Sequence, residues 1–348
     1  MEKVRLGGTE LMVSRVGFGG IPIQRLSEKD AVEVVSRSIE LGITFIDTSN
    51  VYTTSEERIG KAVAGKRDGL IIATKTTSRT AKGVRADLAL SLKRLATDYI
   101  DLYQFHNVSD ENTFAAILAP AGPLAVIEEA RKAGIIRHIG LTSHQIDIAK
   151  KAVAMGIFET IMFPFNFVIE DTCEELLKQA RQHDTGFIAM KPLAGGRLEK
   201  ASLALKYILQ FPDVVPIPGI ERKSEIEEII DIVNHPAPMT PEERKEMAKI
   251  KQELGAIFCR RCDYCQPCSQ EIPISVVMNT KSLLKTGELN RVFSGSIGEM
   301  LVKGANCTKC GDCESRCPYG LPIMDLMEQN SVLFLAEKKK YLEQRSVR

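Results

Sequence analysis

The feature that most constrains this chain is a rhythm. Between residues 15 and 233 a short apolar run, a polar or glycine-containing loop and a helical stretch recur eight times. The apolar runs are 15–19, 44–47, 70–75, 99–106, 137–142, 160–166, 186–192 and 214–219. The helical stretches lie near 28–41, 56–64, 82–96, 123–133, 145–155, 171–183, 199–210 and 223–233. Near-continuous apolar strands between amphipathic helices imply parallel strands covered on both faces. Eight such units predict a closed (β/α)8 barrel of the TIM type, an architecture of about 250 residues. A doubly wound open sheet is the alternative. A G-x-G-x-x-G after the first strand would favour it, and none is present.

Residues 4–14 ahead of the first unit read as a small hairpin turning at Gly7 and Gly8. Beyond the last unit, Thr240 can cap a helix with Pro241 in its first turn and Glu243 closing a capping box. That helix should stop at Gly255. The expected division is therefore a barrel over 1–255 and a second, mostly helical domain over 256–348. Within it, 275–303 should be helical with a break at Gly287, and 321–345 should form a closing helix with a solvated, charged end. The formal net charge of +1 predicts no pull toward nucleic acid. No apolar run is long enough to span a bilayer, and the first ten residues lack the apolar core of a secretory signal. The expected compartment is the cytoplasm, with no membrane partner.

Active sites of (β/α)8 enzymes sit where the strands end. The second strand ends at Asp47, the third at Lys75 and the fourth at His106; Tyr52 follows in the loop after the second. A lone ionisable residue at a strand end is ordinary, but four on three adjacent strands form a chemical set. A phenol is a weak acid unless tuned, and a nearby ammonium favours its phenolate and lowers its pKa. A carboxylate keeps that ammonium charged and aimed. A histidine can hydrogen-bond and orient a carbonyl oxygen. The set can protonate an oxygen as a hydride reaches its carbon: Tyr52 as general acid, Lys75 as its modulator, Asp47 as partner of Lys75, and His106 as the orienting group.

Eight of the nine cysteines fall in two packets, Cys259, Cys262, Cys265, Cys268 and Cys307, Cys310, Cys313, Cys317. The second packet, with Pro318 behind it, matches the bacterial ferredoxin run C-x2-C-x2-C-x3-C-P. Two [4Fe–4S] clusters would use all eight thiolates. A single cluster with spare cysteines, zinc and disulfides are the competing readings. Structural zinc sites usually pair C-x2-C units across a longer gap, and disulfides are rare in a reducing compartment. In two-cluster ferredoxins the fourth cysteine of each run serves the other cluster. By that rule Cys259, Cys262, Cys265 and Cys317 hold one cluster, and Cys307, Cys310, Cys313 and Cys268 the other. The first packet departs from the pattern in its last spacing and in Ser269 where a ferredoxin has proline. Cys173, alone on a helix, reads as a small buried apolar residue. His138, His183 and His235 read as surface or helix-end groups, whereas His144 lies at the same rim as the ionisable set.

The motifs G-F-G-G at 17–20, F-I-D-T-S-N-V-Y at 45–52, A-T-K-T at 73–76 and D-L-Y-Q-F-H at 101–106 resemble the aldo-keto reductases. So do I-G-L-T-S at 139–143, P-F-N at 164–166, K-P-L-A-G-G-R-L at 191–198 and P-I-P-G at 216–219. The likeness covers about residues 3–235. The whole chain resembles the branch of that family with a C-terminal ferredoxin-like domain. The resemblance implies an NAD(P)H-dependent reductase of a small carbonyl substrate, with the four roles above. It implies cofactor contacts from Gly19, Gly20, Asp47, Thr142, Ser143, Asn166, Lys191, Pro192, Leu193, Gly195, Arg197, Gly219, Arg222 and Lys223. Arg222 and Lys223 after a glycine loop suit a 2′-phosphate, which favours NADP over NAD. Met162 stands where the family has a glutamine, and Met190-Lys191 where it offers a stacking ring. The clusters leave two further functions open: electron exchange with a partner protein that uses the barrel as a docking platform, or a purely structural clamp.

Overall fold

The computed structural model describes residues 1–261, 263–317 and 319–346, without the side chains of 170–172, 286, 345 and 346. Cys262 and Pro318 of the cysteine packets lie outside the described residues, as do the last two residues of the charged tail. The chain divides into two compact units, 1–244 and 245–348.

In the first unit, β1 (Lys3–Arg5) and β2 (Met12–Ser14) pair antiparallel around a turn in which Gly7 has φ +52°. Eight strands then form one parallel sheet among the described residues: β3 (Phe18–Gly19), β4 (Phe45–Asp47), β5 (Ile71–Thr76), β6 (Ile100–Phe105), β7 (Ile136–Thr142), β8 (Thr160–Pro164), β9 (Gly186–Met190) and β10 (Val214–Pro216). Their order in the sheet is their order in the chain. The two ends meet: Gly17 N–H donates to the Pro216 carbonyl at 2.9 Å, and Gly19 N–H to the Pro218 carbonyl at 2.8 Å. The open doubly wound sheet is thereby excluded. This seam explains Gly19, because a Cβ there would lie 2.7 Å from the Pro218 carbonyl oxygen and 2.8 Å from that of Ile217.

Alternation along each strand sorts its side chains into two cores. Phe45, Ile71, Ala73, Leu102, Ile188 and Val215 meet inside the barrel, where Leu6 and Val13 of the hairpin region join them at the end where the strands begin. Phe18, Ile46 and Ile72 face outward and pack against α1 (Glu28–Glu40), α2 (Ser55–Ala62) and α9 (Lys223–Asn234). Ile226, Ile229, Ile230 and Val233 supply the apolar stripe of α9 at helical spacing. Ser27 caps α1 by accepting from Asp30 N–H at 3.1 Å. The other barrel helices are α3 (Ala81–Leu95), α5 (Pro123–Lys132), α6 (Ile146–Ala154), α7 (Glu170–Gln182) and α8 (Ala201–Ile208).

One helix, α4 (Glu111–Leu118), was not expected between β6 and α5. It shows only a short apolar signal, with Phe114 and Ile117 buried, and Asp110 caps it by accepting from Thr113 N–H at 2.8 Å. The expected capping box forms: Thr240 N–H donates to Glu243 Oε2 at 2.9 Å, and Glu243 N–H to Thr240 Oγ1 at 3.2 Å. It starts α10 (Pro241–Gly255).

In the second unit the expected stretch 275–303 is indeed broken at Gly287, where a Cβ would lie 2.6 Å from the Leu283 carbonyl oxygen. It is also broken near residue 279 and at Gly295. The result is four short helices: α11 (Ile274–Val277), α12 (Thr280–Thr286), α13 (Leu289–Ser294) and α14 (Ser296–Val302). The short α15 (Asp312–Ser315) precedes the long α16 (Ile323–Ser346). One small core gathers Ile272, Ile274, Val277, Met278, Leu321, Ile323 and Met327 with Cys265 and Cys313, and a second is built on Phe293 and Phe334. Among the described residues no single helix is long and apolar enough to cross a membrane.

Candidate active site

Parallel register carries three polar side chains into the barrel at the end where the strands finish. Asp47 pairs with Ala73, and Lys75 pairs with Gln104. Phe45 and Asp47 share one face of β4, as do Ala73 and Lys75 on β5, and Leu102 and Gln104 on β6; in each pair the apolar member lies in the interior core.

Lys75 is 1% exposed and Asp47 3%. Lys75 Nζ donates to Asp47 Oδ1 at 2.6 Å and to the Thr48 carbonyl at 2.6 Å. Gln104 Nε2 donates to the other carboxylate oxygen, Oδ2, at 3.3 Å. Nζ also lies 5.1 Å from the centre of the Tyr52 ring, and that ring meets the His106 ring edge-on at 5.6 Å and 83°. The structure therefore brings Asp47, Tyr52, Lys75 and His106 together. Gln104 belongs to the same group and was missed. Its signal was parity: it stands two residues beyond the interior Leu102.

Burial alone would discharge Lys75, but the Asp47 carboxylate and Tyr52 reverse this and hold the ammonium above its ordinary pKa. Burial lifts the Asp47 carboxyl above its usual range, against the pull of Lys75 and Gln104. Burial also raises the Tyr52 phenol, and Asp47 adds to the rise; the charge of Lys75 and its hydrogen bond pull it back only in part. The expected lowering by Lys75 is thus present but outweighed, so Tyr52 is kept protonated.

The loop that carries Tyr52 is pinned from several sides. Thr48 Oγ1 donates to Ser55 Oγ, which donates to the Gly20 carbonyl, both at 2.8 Å. Arg94 Nη1, from α3, donates to the Asn50 carbonyl at 3.0 Å. Thr53, held at φ +39°, donates to Gln24 Oε1 at 3.2 Å. Ser49 Oγ lies 3.0 Å from His106 Nδ1. Ser49 and Arg94 were not singled out in the sequence. Beyond His106, Arg79 donates to its carbonyl at 2.6 Å, and His144 Nδ1 meets Asn107 Oδ1 at 3.1 Å.

The residues expected at the cofactor are distributed around the same rim. Thr142 Oγ1 accepts from Asn107 N–H at 2.8 Å, and Ser143 Oγ donates to the Val108 carbonyl at 2.7 Å. Asn166 is buried, donating to the Lys191 carbonyl at 3.0 Å and accepting from Val168 N–H at 3.0 Å. The loop containing Lys191, Pro192, Leu193 and Arg197 turns through left-handed residues: Lys191 (φ +56°), Ala194 (+50°), Gly195 (+68°) and Gly196 (+84°). Arg222 pairs with Glu225 at 2.6 Å, and Lys223 with Glu33 at 2.6 Å. Gly20 and Gly219 have close packing reasons, since a Cβ would meet the Asp47 carbonyl oxygen at 2.8 Å and Pro22 Cγ at 2.8 Å. The remaining single residues read simply: Cys173 is buried, His138 bonds Glu159 at 2.7 Å, and His183 and His235 end helices.

In the second unit, Cys268, Cys307, Cys310 and Cys313 line one cavity with Ile274, Arg316 and Met327. Gly311 (φ +86°) and Lys309 (φ +55°) turn the loop between the last three thiols. Cys259, Cys268, Cys307 and Cys317 pack against the small core that buries Cys265 and Cys313. Burial and the neighbouring acidic groups push the Cys313 thiol up. No group of three or more metal-ligating side chains is drawn together within ligand distance among the described residues.

The model of the Aldo/keto reductase family matches residues 15–203. The aldo-keto reductase YhdN of Bacillus subtilis is 31% identical over 254 residues, which is 67% of this chain and 74% of that protein. L-galactose dehydrogenase of Arabidopsis thaliana is 32% identical over 56% of this chain and 66% of its own length. Among solved structures, aldo-keto reductase AKR11C1 of Bacillus halodurans in its holo form superposes with a TM-score of 0.62 at 25% identity, covering 72% of this chain and 96% of that one. An aldo-keto reductase of Klebsiella pneumoniae in complex with NADPH gives 0.61 at 22% identity over 72% of this chain and 95% of its own, a likeness of fold. With its closed parallel barrel and a family match over more than half its length, the chain belongs to the aldo/keto reductase family of oxidoreductases.

Proposed function

We propose that the chain reduces an aldehyde or ketone with NADP(H), with Tyr52 as the proton donor. The observation that carries this reading is the Lys75 ammonium held on Asp47 at 2.6 Å, beside a phenol that burial keeps protonated. His106 orients the substrate oxygen toward Tyr52. As a hydride reaches the carbonyl carbon, the C=O π electrons move to oxygen and Tyr52 gives that oxygen its proton. The remaining phenolate is stabilised by Lys75, whose charge is retained by Asp47. Bound NADP(H) would supply the hydride. The donor set fits such a cofactor. Buried polar groups at Thr142, Ser143 and Asn166 suit an amide, and the left-handed run at 194–196 lets backbone approach a phosphate. Arg222 and Lys223 suit a 2′-phosphate once they exchange Glu225 and Glu33 for it. NADPH in the Klebsiella pneumoniae relative supports the same choice.

The two cysteine packets are read as ligands of two [4Fe–4S] clusters in a ferredoxin-like domain over 256–348. The cavity shared by Cys268, Cys307, Cys310 and Cys313 supports the crossed pairing, leaving Cys259, Cys262, Cys265 and Cys317 for the other cluster. Thiols in a small apolar core suit sulfide-bridged iron, and Cys265 and Cys313 within that core favour a clamping role. Hydride chemistry moves two electrons together whereas a cluster moves one, so exchange between the two sites needs a relay that no motif here supplies.

The test is NADPH oxidation against a panel of aldehydes and ketones, with anaerobic iron and sulfide analysis of the same preparation. Carbonyl-dependent turnover and about eight irons per chain are expected, four for each [4Fe–4S] cluster. Normal turnover by Tyr52→Phe overturns the proton donor, and about four irons overturns the two-cluster reading.

A further inference from the structure

Ser49 lies three residues ahead of Tyr52 and is 1% exposed. Its hydroxyl oxygen is 3.0 Å from Nδ1 of His106 and 3.4 Å from the carbonyl oxygen of Lys75. A hydroxyl has one proton to give, so both contacts cannot be donated at once. The Lys75 carbonyl already accepts from Asn50 N–H at 3.3 Å, and the contact to the ring is the shorter of the two.

We propose that Ser49 is a positioning residue that donates to Nδ1 of His106 and so keeps His106 in the tautomer with its proton on Nε2. The inference rests on the reading of His106 as the group that orients the substrate oxygen. In a neutral imidazole one nitrogen is a donor and the other an acceptor, and the partner of one decides the state of the other. A ring protonated on Nε2 offers the carbonyl oxygen a donor. The opposite tautomer would set a lone pair against it. The His106 ring stands edge-on to the Tyr52 ring at 5.6 Å, beside the phenol that gives the proton.

The experiment uses the full holo-chain labelled with ring-15N histidine, with the His106→Ala variant identifying the His106 resonances. The wild type should show one protonated nitrogen, Nε2, and one bare nitrogen, Nδ1. Ser49→Ala should give a mixture of tautomers, with about a tenfold fall in kcat, the upper range for one neutral hydrogen bond, and an unchanged KM for NADPH. Ser49→Thr, which keeps the hydroxyl, should restore both the spectrum and kcat. A wild-type ring protonated on Nδ1 or on both nitrogens overturns the inference. So does a Ser49→Ala protein with the wild-type spectrum. If His106→Ala turns over like wild type, the orienting role of His106 fails and takes the catalytic half of the inference with it. The spectrum still judges the tautomer independently.

Discussion

The barrel rim and the cysteine region hold reactive groups in opposite ways. At the rim, Asp47, Lys75 and Gln104 stand on strands whose neighbours fix their register, and the Asp47 carboxylate is held by Lys75 Nζ at 2.6 Å and Gln104 Nε2 at 3.3 Å. In the second unit the described cysteines stand on loops between helices, several only four to seven residues long, except Cys313, which lies in the four-residue α15, and Cys310 is exposed. Helices that short are not stable by themselves. The proposed proton transfer tolerates little misplacement; its ammonium and carboxylate stand on strands, and the loop of Tyr52 is pinned by hydrogen bonds from Arg94 and Ser55. Under the cluster reading proposed above, metal–thiolate bonding would draw the loops to its own geometry, so the thiols need only be near one another.

The largest test of that contrast is Tyr52→Phe. Carbonyl reduction should fall by about 10²–10⁴, the usual worth of a positioned proton donor, while iron content and the absorbance near ~400 nm stay unchanged. A change in iron would show that the two regions are not separate in this sense. Next, Lys75→Met leaves the Asp47 carboxylate buried without its cation, which costs about 3–5 kcal/mol. Denaturant unfolding should show the loss, and an unchanged midpoint would mean that Asp47 accepts a proton instead. Because burial raises the phenol of Tyr52 above its ordinary value of 10.0, the acid form persists across neutral pH. Reduction should therefore fall only as pH rises through that elevated value, measured as kcat/KM against pH. A fall near neutrality would show that the pull of Lys75 wins over burial.

Much of this is legible in the sequence. The alternation of apolar runs and amphipathic stretches carries the barrel because parallel strands must be covered on both faces. The strand ends carry Asp47, Lys75 and His106. Gln104 was legible in principle through the parity with Leu102, but an amide inside a barrel gives no charge signal. Helix α4 hid because two buried apolar residues make too weak a period. Three features needed the fold itself. The net direction of the Tyr52 shift depends on how deeply the ring is enclosed. Gly19 and Gly219 are explained by close approach across the seam, and Gly20 by its approach to the Asp47 carbonyl of β4. The pairing of Lys223 with Glu33 joins residues 190 apart in the chain.

The smallest effect tests the other side of the contrast. Arg316, between Cys313 and Cys317, donates through Nη2 to the carbonyl of Pro267 at 2.9 Å and through Nε to the carbonyl of Asp312 at 3.0 Å. Pro267 stands between Cys265 and Cys268, so one side chain ties the first packet to the second across 49 residues. Gln266 steadies the same loop, accepting from Cys268 N–H at 2.9 Å and donating to the Ile272 carbonyl at 2.9 Å. If loops around the thiols depend on such ties until metal binds, Arg316→Leu should lose iron to a chelator about fivefold faster, the equivalent of one hydrogen bond worth about 1 kcal/mol. Arg316→Lys should recover part of that, since an ammonium can reach one carbonyl but not fork across two. An unchanged rate of iron loss would mean that the thiolate bonds alone hold the two packets together. The rim alone of these two sites would then depend on protein hydrogen bonds for its geometry.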